Sequence, residues 1–247
     1  MTQPMPDGSV ADQDEGALDV ARFTSEKRRA RRAAIRARHR LASALVVLAI
    51  VATATGCLPE TVSRVPTTDP VVFFTIDDGI VRDPAVLDFL RTNNIPVTLF
   101  VNPGQVAQDP GYFQSFRDLG DSIQDHTVNH PSLNRLSVGD QQAEICGPIG
   151  DYAGRFGQTP WMLRPPYGNY DLGTRVAAQA CGIRYLVLWR VVADQGRITT
   201  WGGPIEAGDI IIFHFDNQLL SNLTLAWYVT ALRGLHPARL EDYLPSS

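Results

Sequence analysis

Lysine is almost absent from this 247-residue chain, which has only Lys27. Nine of the 22 basic residues lie between Arg22 and Arg40, with a single acid, Glu26, among them. From Cys57 onward thirteen arginines face twenty acidic residues, a balance of −7 within an overall formal charge of −4. A body this acidic lacks the basic face of a nucleic-acid binder, so nucleic acid is excluded as a partner. Long apolar runs are scarce too. The one present, Leu41–Thr55 (LASALVVLAIVATAT), is shorter than the roughly 20 residues of a spanning helix and has the length of the apolar core of an export signal. Internal repeats are lacking, and cysteine is limited to three residues.

What is present divides the chain into four parts. Residues 1–40 are polar at the start, where the composition reads as disordered, and basic at the end. Residues 41–57 form a hydrophobic signal or anchor whose basic flank stays on the cytoplasmic side. The run ends in Ala54-Thr55-Gly56-Cys57, which resembles a bacterial lipoprotein processing site with Ala54 where leucine is usual. Lipidation at Cys57, an uncleaved anchor and plain secretion are the alternatives. All three put Thr61–Ser247 outside the cytoplasm, and the first two attach it to the membrane through the N-terminus. Residues 58–69 read as a linker, and 70–247 as one domain large enough for a sizeable core. With Cys57 at the membrane end, Cys146 and Cys181 remain. Two cysteines in an oxidising compartment are a candidate disulfide, the alternative being two buried free thiols.

In that domain short apolar runs alternate with amphipathic stretches, which indicates α/β. Strands are expected at Val71–Ile76, Val97–Val101, Ser122–His126, Trp161–Arg164, Tyr185–Trp189 and Asp209–His214, with a last one within 239–244. Helices are expected at Pro84–Thr92, Gly111–Leu119, Val138–Phe156, Thr174–Cys181 and Leu223–Leu235. Asp77, Asp78, His126, Arg164 and His214 each fall at or just past the C-terminal end of an expected parallel strand, the edge where β/α barrels build their sites. The fold expected is a distorted, incomplete (β/α) barrel of parallel strands with outer helices.

His126 and His130 are four residues apart, close enough to share a cation from one helical turn or a tight loop. Asp77-Asp78 ends a buried strand, where two carboxylates are costly without a neutralising cation. Two histidines and one carboxylate make an open metal site.

The ordered series TIDDG (75–79), HTVNH (126–130), RPPYG (164–168) and IIIFH (210–214) resembles the polysaccharide deacetylases of carbohydrate esterase family 4. The resemblance spans about 71–215. It implies Asp77 as catalytic base and Asp78, His126 and His130 as ligands of a divalent metal, zinc first, with cobalt, manganese or nickel acceptable. It further implies Arg164 as orienter of the base, the Tyr167 backbone N–H as oxyanion donor, Ile212 against the acetyl methyl and His214 as general acid. One motif departs from the pattern. Where the family carries Asp-x-x-Asp-Trp, this chain reads WRVVADQ (189–195), so Asp194 either orients His214 or is a solvated loop residue. Trp189 or Trp201 would have to stand in for the missing tryptophan.

The implied activity is hydrolysis of N-acetyl or O-acetyl groups on a cell-wall or extracellular polysaccharide, with peptidoglycan and chitin-like polymers favoured and acetylated xylan also open. The chemistry agrees on its own terms: amide hydrolysis needs an activated water, a polarised carbonyl and a proton for the departing nitrogen. Two other readings stand beside it. One is a different non-peptide amide hydrolase on the same scaffold; the other is a non-catalytic carbohydrate-binding relative, which would be expected to have lost one of these residues.

Overall fold

A computed structural model describes residues 57–246, so the expectations for 1–40 and for the apolar segment up to Gly56 lie outside the described residues. The elements run β1 (Glu60–Val62), β2 (Val71–Asp78), α1 (Pro84–Asn93), β3 (Val97–Val101), a short α2 (Pro103–Val106), α3 (Pro110–Asp118), β4 (Ser122–Asp125), α4 (Val138–Phe156), β5 (Met162–Leu163), α5 (Leu172–Ala180), β6 (Tyr185–Val187), β7 (Val191–Asp194), β8 (Arg197–Thr200), β9 (Ile210–His214), α6 (Leu219–Ala231) and β10 (His236–Pro237). Among the described residues no helix is long and apolar enough to cross a membrane.

Helix starts follow from local chemistry. Asp83 and Asp109 each precede a proline, and their carboxylates accept from the backbone N–H of Ala85 and Tyr112. Proline at the first helical position has no orphan donor and is already bent to helical φ. Ser137 caps α4 through the N–H of Asp140, and Asp171 with Thr174 forms a capping box on α5.

The sheet order is β1-β6-β5-β4-β3-β2-β9-β7-β8, all parallel except the β7–β8 hairpin, and β10 also pairs with β2. The sheet curls but does not close, because its path ends at β1 on one side and β8 on the other. This is an incomplete (β/α) barrel. Central β2 pairs with β3 and β9 and is buried on both faces, so its sequence VVFFTIDD shows no alternation. Val71, Phe73, Phe100, Met162, Val187 and Ile210 cluster inside the curl, closed by Leu240 and Leu244. Val72, Phe74, Ile76, Ile211 and Phe213 face the other way, with Val86, Leu90, Phe113 and Phe116 of the helices. Tyr112, Phe113 and Phe116 of α3 are buried there.

Two local expectations are corrected. The 58–69 linker instead supplies β1, and Val62 and Val65 are buried. An unpaired β6 edge would expose its backbone donors and acceptors, and β1 covers them. The strand expected within 239–244 is a 3-10 turn, Leu240–Asp242, while His236 pairs with Val71. The segment after β6 holds the β7–β8 hairpin.

Candidate active site

Alternation along β2 sends Thr75 and Asp77 toward the inside of the curl. Asp78 would point to the opposite face, but it takes φ = 77°, a left-handed conformation rare for a side-chain-bearing residue. The chain thereby turns at its second aspartate, and both carboxylates approach one histidine. The Nε2 of His126 lies 3.8 Å from Asp77 Oδ2 and 3.5 Å from Asp78 Oδ1; the Nε2 of His130 is also 3.5 Å from Asp78 Oδ1. The two histidines sit in a tight loop rather than on a helix, with Thr127 at φ = 67° and His130 at φ = 57°.

That loop is held from several sides. The Oδ1 of Asp125 accepts the N–H of Thr127 at 2.7 Å. Asn102 donates to the carbonyls of His126 and Thr127. Glu144 of α4 accepts from the backbone and side chain of Asn129, and its carbonyl accepts from Val128. A side chain on Gly147 would come within 2.4 Å of Val128, so only glycine lets α4 approach the loop this closely. Asn102, Glu144 and Gly147 escaped the sequence reading, since none belongs to a chemical motif and each acts only through tertiary contact.

Arg164 is fully buried and clamped. It donates to Asp77 Oδ1 at 2.7 Å, Thr75 Oγ1 at 2.8 Å, and the carbonyls of Val187 and Leu188 at 3.1 and 3.4 Å. Its guanidinium carbon lies 4.3 Å from the Phe100 ring centroid and 5.7 Å from that of Trp189. The Arg164 carbonyl meets His126 Nδ1 at 2.7 Å. A carbonyl only accepts, so Nδ1 carries the proton in the neutral ring and the Nε2 lone pair faces the carboxylates.

Burial pushes the Asp78 carboxyl up, yet the neighbouring His126 ring and the charges of His214 and His130 hold it below its ordinary value. Burial pulls His126 down, and Asp77 and Asp78 more than reverse that. His130 is lowered by burial and by His126. Burial raises Asp125 to about 8 despite the Thr127 bond.

Asp78, His126 and His130 form a group able to hold a metal ion. Its separations are too long for hydrogen bonds. Two ligand atoms each about 2.1 Å from a tetrahedral ion stand about 3.4 Å apart, close to what is found. The buried Nε2 of His126 has no hydrogen-bond partner among the described residues. The residues therefore fit a divalent ion.

His214 ends β9 directly across the ladder from Asp77, and Ile212, buried on the same face, pairs with Thr75. Continuing the β7–β9 register puts Asp194 beside His214, but no hydrogen bond joins them among the described residues. Tyr167 is 65% exposed at φ = 60°, its hydroxyl 3.2 Å from His130 Nδ1. Cys146 and Cys181 stand as a disulfide with Cα atoms 5.1 Å apart, joining α4 to α5. Cys57 is free and exposed.

A buried, arginine-clamped carboxylate beside an Asp-His-His cluster at the C-terminal edge of a parallel sheet defines a hydrolase centre. Comparison with known proteins agrees. Residues 64–186 match the polysaccharide deacetylase family model. An uncharacterised protein of Streptomyces coelicolor is 40% identical over 194 residues, 76% of this chain and 78% of that one. The peptidoglycan-N-acetylglucosamine deacetylase of Listeria monocytogenes is 31% identical over 137 residues, which is 55% of this chain but 28% of that protein. A family 4 carbohydrate esterase from Streptomyces lividans, solved with acetate, superposes with a TM-score of 0.60 at 25% identity, covering 70% of this chain and 93% of that one. The chain belongs to the polysaccharide deacetylases of carbohydrate esterase family 4.

Proposed function

We propose that this enzyme hydrolyses N-acetyl groups, or O-acetyl groups, on a cell-wall polysaccharide and depends on a divalent metal for it. The observation that carries the reading is the buried Arg164–Asp77 pair set against the Asp78, His126 and His130 cluster. These three residues would hold the ion, and two imidazoles with one carboxylate suit zinc first. A divalent ion there supplies Lewis acidity for the acetyl carbonyl and lowers the pKa of bound water.

The chain's own residues do the rest. Arg164 takes Asp77 Oδ1, leaving Oδ2 to accept the proton of the attacking water. The water oxygen bonds to the acetyl carbon, and the Tyr167 backbone N–H donates to the oxygen that becomes negative. His214 then delivers a proton to the sugar nitrogen as the C–N bond breaks, and acetate leaves. Ile212 packs against the acetyl methyl. Peptidoglycan is the favoured polymer, because an enzyme held at the membrane reaches the adjacent wall and a Listeria relative carries that activity in its name.

We place the enzyme outside the cytoplasm, tethered at Cys57. The basic leader, the short apolar run and a body with paired cysteines support this. Acetate release from acetylated peptidoglycan, chitin oligomers and xylan, with and without chelator, tests the activity. Release that survives exhaustive chelation refutes the metal role; no release from any of the three refutes the deacetylase reading. An intact Met1 on membrane-bound protein refutes lipid processing.

A further inference from the structure

One cavity beside the catalytic centre has no part in this chemistry. It measures about 220 Å³ and is lined by Gly168, Leu188, Trp189 and Trp201. Gly168, at φ = 69°, forms part of its wall; a side chain there would meet the Trp189 ring at 3.3 Å. Trp201 is 53% exposed, a large apolar ring left in water for which the core gives no reason.

The loop carrying Trp201 is nevertheless braced. The Arg190 side chain donates to the carbonyls of Trp201 and Pro204, both at 2.7 Å, and grips buried Asp209 at 2.6 and 3.0 Å. The Trp201 N–H returns a bond to the Arg190 carbonyl at 3.1 Å. An exposed ring on a backbone fixed this way loses little entropy when something packs against it.

The cavity also adjoins the reacting centre. Gly168 follows Tyr167, whose ring lies 4.7 Å from that of His130. The Trp189 ring faces Arg164, which holds Asp77.

We infer that Trp189 and Trp201 form a subsite for one pyranose ring of the polymer, next to the sugar that loses its acetyl group. The inference rests on the deacetylase reading above. A pyranose presents C–H faces and a rim of hydroxyls. Its faces suit the electron-rich faces of tryptophan, and its hydroxyls can reach solvent through the open mouth. The cavity is far larger than an acetyl methyl and smaller than the roughly 300 Å³ at which pockets take drug-sized ligands. A single sugar ring fits between those limits.

Two measurements on the full chain test this. In the Asp77→Asn background, which blocks turnover, tryptophan fluorescence is titrated with the tetramer of N-acetylglucosamine and with xylotetraose. At least one sugar should shift the emission. Trp201→Ala should weaken that binding about tenfold, the scale of one ring stacked on an aromatic face, and Trp201→Phe should recover part of it. In the active enzyme, Trp201→Ala should lower kcat/KM for the tetramer about tenfold more than for 4-nitrophenyl acetate, which reaches only the reacting centre. Equal losses on both substrates would overturn the subsite, as would binding that Trp201→Ala leaves intact or Asp77→Asn fluorescence that neither sugar moves. Sugar binding through Trp201 without acetate release from any glycan would sink the catalytic reading and leave the subsite standing.

Discussion

Arg164→Met is the most exacting test of the site's electrostatics. Methionine roughly fills the arginine stem's volume but removes a charge that makes four hydrogen bonds from a fully buried position. Asp77, only 2% exposed, would be left as a buried carboxylate without its main counter-charge. Removing one partner of a buried ion pair costs about 3–5 kcal/mol. For a protein of this length that corresponds to a Tm lowered by roughly 6–20 °C. His126 softens the loss, because Asp77 and Asp78 hold its value above the ordinary one and a protonated ring can stand in for the guanidinium. The loss should therefore be smaller at acid pH than at pH 8. Adding Asp77→Asn removes the orphaned charge, so the double variant should be more stable than the two single losses predict, by about 1–3 kcal/mol. Urea unfolding of the four metal-free proteins, followed by circular dichroism, measures this coupling. Strictly additive losses would show that the pair's charges do not set the stability of this region.

Three further outcomes are expected. Asp77→Asn should abolish most of kcat while elemental analysis still finds the metal, because Asp77 is assigned as base and not as ligand; loss of the metal with it would reverse the two aspartates' roles. Cys146→Ser/Cys181→Ser opens a 35-residue loop and should cost about 3–4 kcal/mol by the chain-entropy estimate, read as a lower Tm under non-reducing conditions. Burial, with Glu241 adding to it, raises Asp121 to about 7 from an ordinary 3.8. The folded state therefore holds a proton that the unfolded state has lost, stability falls as pH rises from about 4 to 7, and Asp121→Asn should flatten that slope, worth at most about 4 kcal/mol.

Most of the chemistry was legible because it lies in short contiguous motifs at strand ends. Asp77, His126, Arg164 and His214 could be placed on one sheet edge from the apolar run before each, and Val138–Phe156 emerges as a helix over the same residues in both readings. What was not legible depends on partners distant in sequence. A three-residue strand such as β1 carries no periodicity, and only the open edge of β6 explains it. The β7–β8 hairpin was hidden because its turn, Gln195-Gly196, follows a stretch that otherwise matched a degraded motif. The disulfide ties α5 to α4, whose Glu144 and Gly147 support the histidine loop.

The backbone marks the site independently of any motif. Six described residues other than glycine have clearly positive φ; Asn94 ends α1 and Gln195 forms the hairpin turn, while the other four are Asp78, Thr127, His130 and Tyr167. Such conformations cost on the order of 1–3 kcal/mol each and persist where surrounding contacts impose them. Tyr167→Gly separates that cost from its use. Glycine takes φ = 60° freely and loses about 0.5–1 kcal/mol more on folding, while the tyrosine ring is mostly exposed and its chief polar contact is the His130 bond. Relief of strain and loss of that bond should nearly cancel, leaving the unfolding free energy within about 1 kcal/mol of wild type. Acetate release should nevertheless drop, because His130 loses the hydroxyl and ring that fix its plane. A destabilisation well beyond 1 kcal/mol would mean that Tyr167 is packed for stability and that its left-handed backbone stores no strain for the site.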